Sequence, residues 1–247
     1  MRRPRRCWVR HPCATVASLQ GRADDVREPR MGAWKSRLDA AQRQKGVGAG
    51  MADGGYRVAI VGATGAVGTV MRTILEERDF PVSSLKLLAS ERSAGKRFPF
   101  KGDELAVEEL DEDSFDGVDY VLSSAGGSIS KQYLPHAVRA GAVSIDNTSA
   151  YRMDPEVPLV VPEVNPDAAL RHKGIIANPN CSTIQMVVAL KPIHDVARIR
   201  RVIVSTYQGI SGASSRAIEA GKAQIDADIH GEPMPSAKEF LHPIAFN

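Results

Sequence analysis

Cysteine is scarce in this sequence: the 247 residues contain three, at positions 7, 13 and 181. So few cysteines, so unevenly spaced, exclude a disulfide framework and a cysteine-based zinc site, and they favour a reducing compartment. Long apolar runs are also missing, since none approaches the roughly 18 residues that a membrane-spanning helix requires. Aromatic residues make up 5% of the chain and form no basic stripe. The composition therefore predicts no metal, no membrane span and no nucleic-acid partner.

Excess positive charge is confined to the start of the chain. Residues 1–50 carry 12 Lys and Arg against 4 Asp and Glu, a net charge of +8, whereas residues 51–247 carry 20 against 25, a net charge of −5. An Arg-rich leader is typical of an organelle presequence, although such presequences usually contain more serine and fewer acids. We therefore expect residues 1–55 to be a basic N-terminal extension. It is a disordered segment, a transit peptide, or sequence upstream of a true start at Met51.

From Arg57 onward, short β-branched runs alternate with helical segments. This alternation predicts an α/β fold with a Rossmann-type, doubly wound parallel sheet, which we assign to residues 56–178. In the first helix, Val70, Met71, Ile74 and Leu75 are predicted to face the core. The proline-rich stretch 157–166 is predicted to lead toward a second domain, residues 179–247. The predicted strands are 58–61, 85–89, 118–122, 142–146, 175–177 and 202–206, the predicted helices are 67–78, 132–140, 183–190 and 214–229, and 104–119 is predicted to be an edge hairpin with loops.

A glycine-rich loop, GATGAVG at residues 62–68, follows the first strand and opens the first helix. This context predicts a dinucleotide-binding turn. Gly62 would allow the tight turn, Gly65 would let the backbone approach a pyrophosphate, and Gly68 would let helix and strand pack closely. A βα turn without a ligand is the alternative.

Polar residues follow the second strand, where Rossmann-type folds contact the adenosine ribose. Arg92, flanked by Ser90 and Ser93, could clamp a 2′-phosphate because a guanidinium offers paired donors to phosphate oxygens. This pattern favours NADP over NAD. Glu91 could instead meet a bare 2′-hydroxyl, and Arg92 could be a solvated loop charge.

Two later strands are followed by further candidate ligand-binding residues. The small residues Ser124, Ala125 and Gly126 would permit close approach of a ribose or nicotinamide at the carboxyl edge of the sheet. Arg152, beyond the next strand at the same edge, is a candidate anion anchor.

Cys181 is predicted to lie where a short strand turns into a helix. A helix N-terminus has unpaired N–H groups that favour the thiolate, which is the nucleophilic form. The alternative is a small buried hydrophobe. No tyrosine is followed by lysine four residues later and no Gly-Lys-Ser/Thr follows the glycines, which argues against short-chain dehydrogenases and P-loop proteins. Thiol and dinucleotide loop together suggest a thiol-dependent reductase.

These motifs resemble those of the aspartate-β-semialdehyde dehydrogenase family, over nearly all of residues 56–247. The resemblance implies that Cys181 attacks β-aspartyl phosphate and forms a thioester that accepts hydride from NADPH. It also implies that Arg152 holds the substrate phosphate, Gln208 orients the acyl carbonyl and Asn180 positions the site. The segments that carry the resemblance are 61–68, 124–128, 146–153, 160–165, 178–183, 205–212 and 242–247, and the residues it assigns to NADP are Thr64, Gly65, Ala66, Val67, Arg92, Ser93, Ser211 and Gly212.

Family members continue beyond Asn247, into a segment that carries the general-base histidine and further substrate ligands. The resemblance therefore implies a C-terminally truncated member, in which residues 179–247 form an incomplete α+β catalytic and dimerisation domain of a homo-oligomer. The histidines of this chain are expected to be structural, with His136 and His172 on the surface. Two alternatives remain: N-acetyl-γ-glutamyl-phosphate reductase, and a non-catalytic, hetero-oligomerising isoform. The family acts in lysine, threonine, methionine and isoleucine biosynthesis, which in plants implies the chloroplast stroma for a chain with a transit peptide, and otherwise the cytoplasm.

Overall fold

The computed structural model describes residues 54–236 and 240–246. The predicted basic extension, residues 1–55, lies almost wholly outside the described residues. Within the described part of the chain, no helix has both the length and the apolar character needed to cross a bilayer.

Seven strands and four α-helices follow one another in the described residues. Short 3₁₀ turns at Glu91–Ser93, Pro166–Arg171 and Ile210–Gly212 join them. In chain order the elements are β1 (Tyr56–Val61), α1 (Ala66–Glu77), β2 (Val82–Ala89), β3 (Arg97–Phe100), β4 (Asp103–Glu109), β5 (Tyr120–Ser123), α2 (Gly127–Arg139), β6 (Val143–Asp146), β7 (Ile175–Ala177), α3 (Cys181–Ala197) and α4 (Ser215–Ile229).

The strands form one sheet in the order β3-β4-β2-β1-β5-β6-β7. All pairs are parallel except the β3–β4 hairpin at one edge. The chain moves from β1 toward β2 on one side and later toward β5 on the other, so the direction of winding switches between β1 and β5. The predicted doubly wound parallel sheet is confirmed, as is an edge hairpin, although the hairpin begins at Arg97 rather than 104.

Both faces of the sheet are buried. Ala59 and Val61 belong to one apolar cluster, while Ile60, between them, belongs to the cluster on the other face. Alternate strand residues point to opposite faces, and helices cover both faces of a parallel sheet, so all three side chains are withdrawn from water.

The predicted core face of α1 is partly wrong. Met71 and Leu75 pack against the core, but Val70 is 54% exposed and Ile74 is 39% exposed. The helix meets the sheet along the stripe Gly68, Met71, Arg72 and Leu75, which keeps the helical i, i+3, i+4, i+7 spacing. The buried Arg72 guanidinium lies 4.7 Å from the ring centre of Phe98, a cation–π contact.

Two further predictions about secondary structure need correction. The predicted helix 132–140 begins five residues earlier, at Gly127. The predicted strand 202–206 is not a strand: residues 201–209 are exposed and have no regular structure, with Ile203 88% exposed. A β-branched run becomes a strand only beside another strand that takes its backbone hydrogen bonds, and the described residues place none there.

The proline-rich stretch runs along the edge of the sheet, beside β7. Val160 N–H donates to the Ala177 carbonyl at 3.0 Å, and Ala177 N–H donates to the Pro158 carbonyl at 2.9 Å. Leu159 thereby forms an isolated parallel bridge with β7. The domain boundaries 56–178 and 179–247 stay predictions.

Candidate functional site

Three helices begin at the same edge of the sheet. The parallel strands β1, β5 and β7 end there, and α1, α2 and α3 follow them directly. None of the three helices carries an acidic residue in its first turn, and the N-cap residues Gly65 and Gly126 make no side-chain cap. The free N–H groups and the helix dipoles therefore favour negatively charged ligands at this edge.

The first glycine loop packs tightly against its neighbours. Gly62 has φ +85°, and a Cβ there would lie 3.0 Å from the Ala125 backbone, so the two glycine-rich turns touch. A Cβ on Gly68 would lie 2.2 Å from the Gly62 carbonyl oxygen. The loop thus has room for a ligand only on its outer side, where Ala66 and Val67 are exposed. Gly62 and Gly68 thus show the tight turn and the close packing that were predicted for them, and the approach of a pyrophosphate to Gly65 stays a prediction.

The turn after β2 lies beside this loop. Thr64 Oγ1 donates to Ser93 Oγ at 3.5 Å. Ser90 and Arg92 are exposed at the 3₁₀ turn Glu91–Ser93. The structure therefore brings the predicted ribose-phosphate residues next to the predicted pyrophosphate loop.

Arg152 joins the ends of β6 and β7. Its Nε donates to the Asn178 carbonyl and its Nη2 to the Asn147 carbonyl, both at 2.9 Å. The Asn178 Nδ2 also donates to Asn147 Oδ1 at 2.6 Å. Two of the five guanidinium N–H groups are used by these carbonyls. The half-buried cation is therefore held at a fixed position against the carbonyl of Asn178, which is two residues before Asn180.

Cys181 is exposed and is the first residue of α3. The alternative prediction of a buried hydrophobe is wrong. Asn180 caps the helix: its Oδ1 accepts from the N–H groups of Ser182 and Thr183 at 3.1 and 3.3 Å and from the Ser182 hydroxyl at 2.6 Å. The cap fixes the first turn, and with it the start of the Cys181 side chain.

A buried carboxylate at the same edge escaped the sequence analysis. Asp146, at the end of β6, is 0% exposed. Its Oδ1 accepts from Ser130 Oγ at 2.8 Å and from Thr148 N–H at 3.0 Å, and its Oδ2 accepts from Thr148 Oγ1 at 2.8 Å. Ser130 Oγ also lies 3.0 Å from Ser123 Oγ. The signal was an acid at the end of a short buried strand, because a buried carboxylate requires internal hydrogen bonds.

Tyr151 lies against this carboxylate. Burial raises the pKa of the phenol, and the negative charges of Asp146 and Asp154 raise it further. Its hydroxyl donates to the Ser130 carbonyl at 3.5 Å. The neutral phenol is the form that this environment stabilises.

Three further predicted residues lie in an exposed segment. Gln208, Ser211 and Gly212 are exposed, and the Gln208 side chain accepts a hydrogen bond from Thr206, in its own segment. Their predicted roles stay predictions.

Neither His172 nor His194 offers a base to Cys181. His172 is buried, not on the surface as predicted, and its Nδ1 accepts from Gly174 N–H. His194 lies in the last turn of α3, about 20 Å along the helix from Cys181 at 1.5 Å per residue. No group of three or more His, Cys, Asp or Glu in the described ranges could hold a metal ion.

Two domain families match the chain in sequence order. The family described as "Semialdehyde dehydrogenase, NAD binding domain" matches residues 57–172, and "Semialdehyde dehydrogenase, dimerisation domain" matches residues 190–247. The first match contains both glycine turns and Arg152.

Curated proteins and solved structures agree with this match. An aspartate-semialdehyde dehydrogenase of Aquifex aeolicus is 61% identical over 196 residues, which are 78% of this chain and 58% of that protein. A crystal structure of aspartate semialdehyde dehydrogenase II from Vibrio cholerae complexed with ASA superposes with a TM-score of 0.73 at 49% identity, over 78% of this chain and 58% of that one. The Candida albicans enzyme, solved with NADP, gives a TM-score of 0.50 at 29% identity, over 58% and 48% of the two chains. The chain spans about half the length of these relatives, between 48% and 58%, and it belongs to the aspartate-semialdehyde dehydrogenase family.

Proposed function

We propose that this chain takes part in the NADPH-dependent reductive dephosphorylation of β-aspartyl phosphate to aspartate 4-semialdehyde through a thioester on Cys181. One observation carries the proposal: an exposed thiol opens a capped helix at the sheet edge where two other helices begin. A nucleophile, an anion anchor and a dinucleotide loop at one edge are the parts that this reaction needs.

The Cys181 sulfur carries the acyl group in the covalent step. The Cys181 thiolate attacks the acyl carbon of the mixed anhydride, an S–C bond forms, and the C–O bond to phosphate breaks with its electron pair leaving on phosphate. NADPH, when bound, supplies a hydride to the thioester carbonyl carbon. The C–S bond then breaks, the aldehyde leaves, and the electron pair returns to the sulfur.

Arg152 is assigned to the substrate phosphate. Its guanidinium is already oriented by two backbone carbonyls, and its remaining N–H groups match phosphate oxygens in a planar fork. The helix N-terminus at Cys181 adds partial positive charge for the same anion. We assign Asn180 to holding the nucleophile's turn and Gln208 to orienting the acyl carbonyl.

NADP is the proposed cofactor because of the turn after β2. Arg92 is exposed beside Ser93, whose hydroxyl is hydrogen-bonded to the glycine loop. A 2′-phosphate placed there would meet a cation and two serine hydroxyls, from Ser90 and Ser93. NADP in the Candida albicans relative is consistent with this assignment.

The alternative reaction, reduction of N-acetyl-γ-glutamyl phosphate, uses similar chemistry on a longer acyl phosphate. The curated relatives named above are aspartate-semialdehyde dehydrogenases, which favours the shorter aspartyl substrate. Side-by-side assays with both semialdehydes would show which one is turned over.

The decisive experiment seeks the acyl group on one sulfur. The chain is incubated with aspartate semialdehyde and NADP⁺ without phosphate, so that the thioester cannot be released by phosphate, and its peptides are analysed by mass spectrometry. We expect an aspartyl adduct on Cys181, absent in Cys181→Ser and retained in the neighbouring control Ser182→Ala. An adduct elsewhere, or none in the wild type, would refute the proposed function.

Assembly and location are proposed from the same similarity. Residues 190–247 match the dimerisation domain, and Val196, Ile203 and Tyr207 in that region are nearly fully exposed. We expect a homo-oligomer in which these side chains are covered, and sedimentation of the purified chain checks this. The basic leader supports import into a plastid for amino-acid biosynthesis, which a fluorescent fusion of residues 1–55 would test.

A further inference from the structure

We propose that Asp146 is a positioning residue that locks the second glycine turn and the Arg152 loop into one unit. The inference rests on the proposed function, because it assumes that the first element holds the cofactor and the second holds the substrate phosphate. It assigns a role to a buried carboxylate that contacts neither.

The first half of the link runs through Ser130, in the first turn of α2. Its backbone N–H donates to the Gly126 carbonyl at 3.0 Å, and its hydroxyl donates to Asp146 Oδ1 at 2.8 Å. Ser130 is itself 0% exposed and lies beside the buried hydroxyl of Ser123, at the end of β5. Asp146 therefore fixes the helix start that carries the second glycine turn.

The second half runs through Thr148. Asp146 accepts both the backbone N–H and the hydroxyl of Thr148, and the same hydroxyl accepts from Ala150 N–H at 3.1 Å. Two residues further along, Arg152 is tied to the Asn147 and Asn178 carbonyls. The loop from β6 to Arg152 is thus shaped around the carboxylate.

The two halves also touch directly. The Tyr151 hydroxyl donates to the Ser130 carbonyl at 3.5 Å, and Gly127 lies close enough to Ala150 that an added Cβ would come within 3.9 Å of it. A shift of the Arg152 loop would therefore move the start of α2, and a shift of the start of α2 would move the Arg152 loop. Because the carboxylate is buried and accepts three hydrogen bonds, any other orientation of its side chain would leave buried polar groups without partners.

Asp119 provides a matched control. It is also buried, lies at the opposite edge of the sheet just before β5, and accepts three hydrogen bonds, all from Arg57. Both aspartates stabilise the fold by satisfying buried polar groups, but only Asp146 lies at the proposed binding edge.

The test compares Thr148→Val, Thr148→Ser, Asp146→Asn and Asp119→Asn with the wild-type chain. Three quantities are measured: the Kd of NADPH by fluorescence, the protection of Cys181 from iodoacetamide by inorganic phosphate, and the unfolding temperature. Valine keeps the shape of threonine but removes the hydroxyl, whereas serine keeps the hydroxyl. Asparagine replaces one accepting oxygen with a donor.

We expect Thr148→Val and Asp146→Asn to weaken NADPH binding and phosphate protection together, each by about 5- to 100-fold, the equivalent of one lost buried hydrogen bond. Thr148→Ser should restore both. Asp119→Asn should lower the unfolding temperature and leave both binding measurements unchanged.

The same measurements separate a failure of the positioning role of Asp146 from a failure of the proposed function. If the wild type binds NADPH and phosphate protects Cys181, but Thr148→Val and Asp146→Asn bind as the wild type does, the positioning role is refuted alone. If Asp119→Asn loses both binding properties in parallel with stability, the role is general stability and the inference is again refuted. If the wild type shows neither binding nor protection, the proposed function fails and the inference with it.

Discussion

Replacement of Gly68 by alanine should destabilise the chain, although alanine is the better helix former. The added Cβ would lie 2.2 Å from the Gly62 carbonyl oxygen and 2.8 Å from the Ala63 Cα. Restoring 3.0 Å to that oxygen requires a backbone shift of about 0.8 Å in a packed turn. Overpacking of this kind costs about 1–3 kcal/mol, or more where backbone must move. The gain in helix propensity is at most about 1 kcal/mol.

The expected net loss is therefore about 1–2 kcal/mol, which lowers the unfolding temperature by roughly 2–8 °C for a domain of this size. NADPH affinity should fall as well, because the moved carbonyl belongs to the loop that would cradle the pyrophosphate. Thermal unfolding and NADPH fluorescence measure the two effects.

Gly221, in the middle of α4, is the matched control for this substitution. A Cβ there meets the tip of the Ile210 side chain at 2.7 Å, which can rotate away, so Gly221→Ala should be neutral or stabilising and should leave NADPH affinity unchanged. A Gly68→Ala chain as stable as the wild type, with unchanged NADPH affinity, would refute the reasoning about close packing at this turn.

Three further predictions concern the cap, the cofactor turn and the loop before β5. Asn180→Ala should lower the free energy of unfolding by about 0.5–2 kcal/mol, as loss of an N-cap does, and should change the rate of Cys181 alkylation. The control Ser214→Ala, which removes the N-cap of α4, should change stability only. Equal effects of the two substitutions on alkylation would contradict the role of Asn180. Arg92→Ala should weaken the binding of NADPH by roughly 10- to 100-fold, which is the value of a charge-assisted hydrogen bond, and should leave the binding of NADH unchanged. Equal losses of affinity for both cofactors would reject the assignment of Arg92 to the 2′-phosphate. The Ser114 hydroxyl lowers the pKa of Asp111, so the carboxylate stabilises the fold above about pH 4 and this contribution is lost as the pH falls through the lowered pKa. Asp111→Asn should therefore be less stable than the wild type at pH 7, and the difference should shrink as the pH falls below about 4, as followed by thermal unfolding. A difference that stays constant as the pH falls would contradict that linkage.

The parts of the site that the sequence predicted are those with local signals. Gly62, Gly65 and Gly68 follow a β-branched strand, and their spacing alone specifies a turn, a close approach and a helix packing contact. Cys181 follows another such strand and an N-cap residue. In both cases neighbours in sequence determine the geometry, so a single chain suffices to predict it.

The parts that the sequence did not predict depend on distant partners. Arg72 is buried because the β3–β4 hairpin brings Phe98 over it, and no property of α1 alone indicates that contact. Asp146 has a local partner in Thr148, but it gains the hydroxyl of Ser130 only once α2 and β6 are adjacent. The run 202–206 has strand propensity, but propensity is decided by the neighbouring strand, and the described residues provide none beside it.

Each lateral edge of the described sheet has a feature that disfavours pairing with a further strand. On one side β3 carries Pro99, which has no N–H to donate, and on the other side residues 158–160 already occupy the backbone groups of Ala177. Exposed sheet edges are the templates on which misfolded copies of a chain grow into fibres. Pairing of copies along these two stretches therefore lacks some of the backbone hydrogen bonds that a continuous inter-chain ladder needs.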